Sequence, residues 1–423
     1  MNMLTEDQKW ELIDNISRKT VRYGEYNATI KDAVAELTVK PLTGIPMAIA
    51  VLYGFWSFFG AIAGFFTDGF MVKLFGGTES FTGIIPWFGN QFTNHESILF
   101  KLFIGDPGVF TPGYAGDICF EAGGVFTTGL FVALGVVLPA IFAFYLFMIF
   151  MEDSGYLPRL AVLIDTLFHK IGLHGFAIVP MILSFGCNVP AVAATRNLET
   201  KKERFMMMAL LAVFIPCGAQ LGVMLEVVPG YVGMIILYLL LGFFVFGYVL
   251  NKIIPGKSPE MLMDVPPYHM PRWNNVKRKL WIRIRGFLKV ALPLVLLGVL
   301  IVNVLYLIGV IEYLANTFEP VLISWFDVPG ETVAPLITAF MRKDLAVAQL
   351  GAIEMSVSQL ITSVVLVSLY FPCVATFAMI LKEGLQSGLR EGIVFLFSSL
   401  VALFIVIFAW GGLLRWILVL AGV

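Results

Sequence analysis

The chain has 423 residues, of which 59% are hydrophobic and 13% are charged, and its formal net charge is −1. A soluble globular domain carries about 25% charged residues, so this composition excludes an ordinary soluble enzyme and indicates an integral membrane protein. The sequence contains no basic tract of the kind that binds phosphate backbones, which excludes a nucleic-acid partner. Its four cysteines are too widely scattered for a disulfide framework.

Seven apolar runs are long enough to cross a bilayer, which takes about 20 helical residues. In chain order they are Gly44–Phe66, Val125–Phe150, Phe205–Leu225, Gly230–Leu250, Val290–Ile311, Met355–Leu381 and Gly392–Leu414. We predict an all-α, polytopic membrane protein with about seven transmembrane helices and two re-entrant, broken hairpins in an inverted repeat. Residues 1–43 lack the apolar core of a signal peptide and are predicted to form a cytoplasmic amphipathic linker. Residues 44–124 then hold the first transmembrane helix and a long extracytoplasmic loop.

The two broken hairpins belong to an internal repeat. In each copy a Pro-interrupted apolar segment, Gly175–Arg196 or Gly330–Val347, precedes an apolar run that carries a Pro-Cys pair. These pairs are Pro216-Cys217 and Pro372-Cys373. Broken segments at corresponding positions of two halves indicate a transport site near the bilayer midplane. We therefore predict gate repeats at 125–252 and 290–423, joined by a basic cytoplasmic linker at 253–289.

Basic residues set the predicted orientation, because cytoplasmic loops carry the excess of Lys and Arg. Arg18, Lys19 and Arg22 place the N-terminus inside, and the basic segment Arg272–Lys289 returns inside only if the first broken segment is a hairpin rather than a full crossing. The two repeats then run in opposite directions through the membrane. Arg415, near a C-terminus placed outside, is the exception to this pattern.

Thiols, an amide and a hydroxyl cluster at the predicted breaks. Ser184, Cys187 and Asn188 lie in the first broken segment, and Cys217 and Cys373 follow the two prolines. Irregular backbone at membrane depth is tolerated only where it is buried in protein or lines a cavity. Sulfur together with amide and carbonyl oxygen suits Fe(II), Mn(II), Co(II) or Zn(II) better than Mg(II) or Ca(II). The alternative is that each cysteine is a small buried hydrophobe.

Charged residues provide two further candidate groups. Glu152 and Asp153 end the second span and are predicted to form an acidic mouth of the metal path, or else an ordinary interfacial carboxylate pair. Arg342, Lys343 and Asp344 stand where the first repeat has Cys187, Asn188 and Val189, and are predicted to be gate charges. The alternative for this trio is a shallow interfacial loop.

No nucleotide site is predicted. Gly256–Ser258 resembles the end of a phosphate loop, but Pro255 and Pro259 forbid the cradle and the following helix. The chain is therefore predicted to be a transporter rather than an enzyme, and any coupling to GTP or ATP must come from another chain. His169 and His174 are predicted to be solvated surface histidines rather than a metal site.

Five segments of the sequence resemble the membrane portion of the ferrous iron transport protein B family. They are Met151–Asp165, Lys170–Arg204, Ile215–Val223, Phe340–Val347 and Tyr370–Thr376. The likeness runs from about Pro41 to the C-terminus, with each motif in the family's order and spacing. It implies an Fe(II) permease of a prokaryotic cytoplasmic membrane, built on two gate motifs of the nucleoside-recognition type. The family's gate cysteine falls on Cys187, and its other cysteines fall on Cys217 and Cys373.

The resemblance also implies partners and substrate. Most members begin with a GTPase domain, which this sequence lacks, and some carry it on a separate polypeptide; we expect a separate GTPase subunit and a small accessory cytoplasmic protein. Membrane lipid surrounds the chain, and a homo-oligomer is compatible with the family. No cofactor is expected to be bound permanently, with Fe(II) as the transported substrate. Met341–Asp344 departs from the Ala-Lys-Glu pattern of many relatives.

Two other functions remain open from the sequence. Gate repeats also occur in carriers of nucleosides and other organic solutes, which would need a roomy polar cavity. A non-transporting membrane scaffold would instead recruit a soluble partner through the basic linker. The carrier predicts that the cysteines are dispensable for transport, whereas the scaffold predicts no ion flux in liposomes.

Overall fold

The fold was analysed in a computed structural model. The structure describes residues 36–78, 81–91, 97–105, 107–110, 119, 122–256, 267–310, 313, 317, 319–320, 322–340, 342–370, 373–386, 399 and 401–421. Most of the predicted N-terminal linker, the first part of the predicted span Gly392–Leu414, and Pro372 therefore lie outside the described residues.

The first part of the described chain is a long helix followed by short elements. The α-helices are α1 Pro41–Phe66, α2 Val72–Gly76, α3 Ile84–Gln91 and α4 Ile98–Phe103. A π-helical turn, Thr67–Met71, joins α1 to α2, and Pro107–Phe110 forms a 3-10 turn. Strands β1 Gly77–Thr78 and β2 Phe81–Thr82 pair antiparallel, with Gly77 opposite Thr82.

The first repeat contains seven α-helices in the described part. They are α5 Leu138–Ser154, α6 Tyr156–His169, α7 Ile178–Gly186, α8 Asn188–Ala194, α9 Lys201–Phe214, α10 Gly218–Val227 and α11 Val232–Ile253. π-helical segments Val125–Gly129 and Val132–Val137 lead into α5, and 3-10 turns Gly175–Ala177 and Thr195–Asn197 flank the α7 and α8 pair.

The second repeat follows the same order. Its α-helices are α12 Trp273–Leu307, α13 Val333–Ala339, α14 Lys343–Gly351, α15 Val357–Leu369, α16 Val374–Gln386 and α17 Gly412–Ala421. Shorter π-helical and 3-10 elements are Leu322–Phe326, Ile407–Gly411 and Gly330–Thr332. The predicted all-α class is confirmed, since the β1–β2 ribbon is the only sheet among the described residues.

Six helical stretches within the described residues are long and apolar enough to cross a membrane. They are Pro41–Gly76, Val125–Ser154, Lys201–Val227, Val232–Ile253, Val357–Gly384 and Val401–Leu420. The remaining predicted span, Val290–Ile311, falls largely within α12, a helix of 35 residues whose first half is basic. The chain is thus a multi-pass membrane protein.

Two runs predicted as continuous spans are broken in the structure. Phe205–Leu225 is interrupted between α9 and α10, at Ile215 to Cys217. Met355–Leu381 is interrupted between α15 and α16, with Tyr370 and Cys373 in non-helical backbone. Proline explains both breaks, because it lacks the N–H of a helical hydrogen bond and its ring clashes with the carbonyl four residues earlier. The sequence prediction of unbroken helices was wrong at these points.

The two predicted hairpins have matching backbone geometry. A single extended residue, Cys187 (φ −152°, ψ 130°), separates α7 from α8. At the corresponding place in the second repeat, Arg342 is extended (φ −149°, ψ 115°) and precedes α14. In each repeat the two halves pack against each other. The long helix that follows each hairpin begins with a capping box, at Thr200 and at Ser356.

The two repeats interlock through reciprocal contacts. Helix α10, which follows the first Pro-Cys pair, packs against α14 of the second hairpin. Helix α16, which follows the second Pro-Cys pair, packs against α8 of the first hairpin. One continuous cluster of buried apolar residues includes side chains from both repeats, such as Phe214 and Leu366. This exchange brings the two hairpins together with Cys217 and Cys373.

Candidate functional site

Three cysteines, one from the first hairpin and one from each Pro-Cys pair, line one cavity of about 160 Å³. Cys187, Cys217 and Cys373 are each partly buried and unpaired, and each comes directly before a helix: α8, α10 or α16. Asn188 and the three predicted gate charges also line this cavity, while α5 contributes an apolar wall that includes Phe144. The structure therefore assembles the three thiols, Asn188 and the charged trio from both repeats around one space.

The thiols do not form a ready-made metal cluster. Among the residues that the structure describes, no three His, Cys, Asp or Glu side chains are grouped closely enough to hold one metal ion. The Sγ of Cys373 lies 3.1 Å from the Oγ1 of Thr376, so an oxygen is already beside one of the sulfurs.

Asn188 joins the first hairpin to the first Pro-Cys break. Its Oδ1 accepts a short hydrogen bond from the Ser184 hydroxyl, and its Nδ2 donates to the Ile215 carbonyl at 3.4 Å. Ser184 is fully buried and is not part of the cavity wall. It therefore orients Asn188 from behind, whereas Asn188 itself reaches the cavity.

The gate charges of the second hairpin are internally paired. The Arg342 guanidinium makes a two-point contact with the Asp344 carboxylate, from Nε to Oδ1 at 3.0 Å and from Nη2 to Oδ2. The Arg342 and Asp344 side chains are only 17% and 13% exposed. Such a planar guanidinium–carboxylate pair holds the two side chains in a fixed orientation and neutralises their charges at the start of α14.

Lys343, between these two residues, contacts main-chain carbonyls rather than the Arg342–Asp344 pair. Its side chain is buried, and its Nζ donates to the carbonyl oxygens of Ser368 at 2.7 Å and Ala212 at 3.4 Å. These carbonyls belong to the last turns of α15 and α9. The sequence indicated an ionisable residue here but gave no partner for it.

Glu152 and Asp153 lie elsewhere. Lys279 Nζ donates to Glu152 Oε1 at 3.0 Å and to Asp153 Oδ1 at 2.6 Å, and Arg283 Nη2 donates to Glu152 Oε2 at 2.9 Å. Burial acts to lower the pKa of Lys279, but its hydrogen bonds to Asp153 and Glu152 outweigh this and raise that pKa above the ordinary value. Neither carboxylate is in the cavity wall. The structure thus does not bring the predicted acidic mouth to the thiols.

Two contacts that involve titratable side chains were missed in the sequence. Arg196, after the first hairpin, makes a two-point contact with Glu383 on α16, which links the two repeats. His174 was predicted to be a solvated surface residue, but it is buried, with Nε2 3.1 Å from Glu203 Oε1. The start signal of α9, Thr200 with Glu203 three residues later, was visible in the sequence. No pattern in the sequence connected that glutamate to His174.

Two family models match the chain. The first, the gate model described as nucleoside recognition, matches residues 134–229 and again residues 288–386. The second, described as the ferrous iron transport protein B C terminus, matches residues 232–283. The predicted resemblance is confirmed by these matches.

Several relatives named Fe(2+) transporter FeoB are similar to the chain. The protein of Methanocaldococcus jannaschii is 32% identical over 299 residues, which cover 60% of this chain and 45% of the relative. The protein of Staphylococcus aureus is 27% identical over 346 residues, covering 72% of this chain and 51% of the relative. The chain thus spans about half the length of these relatives. No solved structure gives a significant match.

Proposed function

We propose that this chain is a permease for ferrous iron or a related divalent transition metal ion. The matches to the gate model and to the model of the ferrous iron transport protein B C terminus support the proposal. The observation that carries the proposal is the meeting of Cys187, Cys217 and Cys373, from both repeats, at one cavity. Sulfur with amide and carbonyl oxygen is a donor set that suits Fe(II). The relatives' printed name, Fe(2+) transporter, supports the same cargo.

The proposed path runs between the two hairpins, in the cytoplasmic membrane of a prokaryote. An ion that loses water of hydration there meets thiols and the oxygens of Asn188 and Thr376 in turn. An inside-negative potential favours cation entry by about 2.3 kcal/mol per charge for each 100 mV. The absence of three clustered ligands among the described residues suits passage, since conduction needs sites that bind weakly enough to release the ion.

We further propose that a GTPase on another part of the same protein or on a separate chain regulates this path, together with a small accessory cytoplasmic protein. Exposed basic side chains at the start of α12 do not line the cavity, and we propose that they supply charge for such a partner or for anionic lipid. Lys277, Arg278 and Arg285 are among these exposed residues.

The organic-solute alternative is less well supported. Pockets for drug-sized ligands occupy roughly 300–1,000 Å³, whereas the thiol cavity measures about 160 Å³. Few polar groups other than those of the hairpins and of Thr376 line it. A nucleoside would need more room and a larger set of hydrogen-bonding groups.

Anaerobic Fe(II) uptake into proteoliposomes with an inside-negative potential tests the proposal. We expect Cys187→Ala, Cys217→Ala and Cys373→Ala each to lower the initial rate at least about fivefold, the equivalent of about 1 kcal/mol. Cys119→Ala is the matched control, because Cys119 is a buried cysteine that packs in a separate cluster with Phe75 and Phe131. Its rate should equal that of the unmodified protein.

Thermal unfolding in detergent identifies any variant that fails to fold. Equal uptake by all four cysteine variants would refute the thiol path. Uptake of a nucleoside that is insensitive to the three substitutions would favour the organic-solute carrier. No flux of either substrate, with the protein folded, would favour the scaffold.

A further inference from the structure

The least expected contact in the cavity wall is made by Lys343. This lysine is 3% exposed, and its Nζ donates to two main-chain carbonyls, Ser368 O and Ala212 O. These carbonyls come from different repeats, at the ends of α15 and α9. A lysine amine that donates to two backbone oxygens, in the wall of the cavity that three thiols also line, occupies a place suited to a cation.

Both carbonyls are available for the same reason. In a continuous helix the carbonyl of residue i accepts from the N–H of residue i+4. Four residues after Ala212 stands Pro216, and four residues after Ser368 stands Pro372. Proline has no N–H, so each Pro-Cys pair removes the helical partner of one carbonyl. Lys343 thus donates hydrogen bonds to the two carbonyl oxygens, one in each repeat, that have no helical N–H donor.

A buried amide contacts Ser368, one of the two residues whose carbonyls hold Lys343. Gln220 Nε2 donates to the Ser368 hydroxyl at 2.9 Å, and Gln220 is fully buried on α10. Its Oε1 has no hydrogen-bond partner within the part of the chain that the structure describes. A buried acceptor without a partner is destabilising, so its retention at this place points to a ligand that supplies the missing contact.

We propose that Lys343 acts as a tethered cation of the transport path: its amine and the transported divalent ion compete for the carbonyl oxygens of Ala212 and Ser368. Gln220, which donates to the Ser368 hydroxyl, is buried next to this position. This inference rests on the proposed permease function and adds a second, oxygen-lined position to the thiol path. Freed carbonyls of broken helices coordinate cations in other transporter folds.

The competition follows from charge and space. A protonated lysine amine and a divalent ion cannot both bind the same two oxygens in a low-dielectric interior, because their positive charges repel each other strongly. The neighbouring carboxylate, Asp344, does not relieve this repulsion, because Arg342 already pairs with it. Ion binding therefore requires that Lys343 move away, and the apparent affinity for the ion is the intrinsic affinity multiplied by the fraction of protein in which Lys343 has moved.

The test replaces the amine by an apolar group of similar length. Lys343→Met should lower the KM for anaerobic Fe(II) uptake at least about threefold, since the competitor is removed. A second readout is the rise in melting temperature of the detergent-solubilised protein on addition of Co(II), which reports binding without transport. That rise should be half-maximal at a Co(II) concentration at least about threefold lower than in the unmodified protein.

Lys202→Met is the matched control. Lys202 is also a buried lysine, and its Nζ donates to the carbonyls of Asn251 and Gly256 at 3.2 and 3.0 Å, but it is not in the cavity wall. Its substitution should leave the KM and the Co(II) midpoint unchanged. Lys343→Arg, which keeps both charge and donors, should not tighten Co(II) binding.

The outcomes separate this inference from the proposed function. If the unmodified protein takes up no Fe(II), the permease function fails, and the Co(II) midpoint alone then decides the competition. An unchanged or weaker Co(II) affinity in Lys343→Met, or equal tightening in Lys202→Met, would overturn the tethered cation. If Lys343→Met does not fold, Lys343→Gln takes its place with the same expected result.

Discussion

Replacing Asp344 by alanine is expected to destabilise the protein by about 3–5 kcal/mol, the cost of leaving one buried charge without its partner. Arg342 would lose both of its contacts with the carboxylate, from Nε and from Nη2. Its Nη1 is already buried without a hydrogen-bond partner in the described part of the chain. The remaining guanidinium would stand uncompensated at the start of α14.

A double-mutant cycle measures this pair. The free energy of unfolding in detergent should fall sharply for Asp344→Ala and for Arg342→Met, but much less for the double variant, in which no unpaired charge remains. The coupling energy should thus be large. Additive losses in the double variant would show that the two side chains stabilise the hairpin independently, against the geometry observed here.

Replacing Gly186 by alanine is expected to lower the free energy of unfolding by about 1–3 kcal/mol, through overpacking. A Cβ at this position would lie 2.1 Å from Cδ2 of Phe144. That ring is 1% exposed and packs edge-on against Phe55, so it has little room to shift. Because Gly186 precedes Cys187, the added methyl group should also displace the thiol and reduce Fe(II) uptake.

Gly222→Ala provides a control that is expected to stabilise the protein rather than destabilise it. Gly222 lies on α10, and a Cβ there would meet nothing within 4 Å. Alanine in a helix interior is favoured over glycine by roughly 0.5–1 kcal/mol, so this variant should unfold at a slightly higher temperature. Similar melting temperatures for both variants would contradict the close packing of Gly186 on Phe144.

The sequence predicted the elements of the site from chemistry that acts locally. The paired breaks, the thiols and the charged trio were identified because proline and buried polar residues have strong local consequences. The match between Cys187 and Arg342 as the extended residues of the two hairpins follows from the alignment of the repeats. Composition alone was sufficient for the membrane class and the all-α fold.

Contacts between distant segments could not be predicted in this way. The pairing of Glu152 with Lys279 and Arg283 joins residues more than a hundred positions apart, and nothing near Glu152 in the sequence indicated a basic partner. The helix breaks at the Pro-Cys pairs were not predicted, because an apolar run long enough to cross the membrane was interpreted as one helix. Each proline also predicted a free carbonyl four residues earlier, but only the three-dimensional arrangement showed that Lys343 reaches both.

The reciprocal packing of the repeats determines which chemical groups line the cavity. Because α10 packs on α14 and α16 packs on α8, each Pro-Cys break lies beside the hairpin of the other repeat. The first hairpin contributes a thiol and an amide, whereas the second contributes an amine and an ion pair. The two halves therefore share a backbone plan but carry different chemistry, which would give an ion a sulfur-lined and an oxygen-lined position.

X-ray absorption at the iron edge, on the anaerobic protein loaded with one equivalent of Fe(II), is the most direct test of the central claim that these thiols meet the ion. The account predicts sulfur scatterers in the first coordination shell, with their number reduced in Cys187→Ala, Cys217→Ala or Cys373→Ala and unchanged in Cys119→Ala. A shell of only oxygen and nitrogen in the unmodified protein would contradict it.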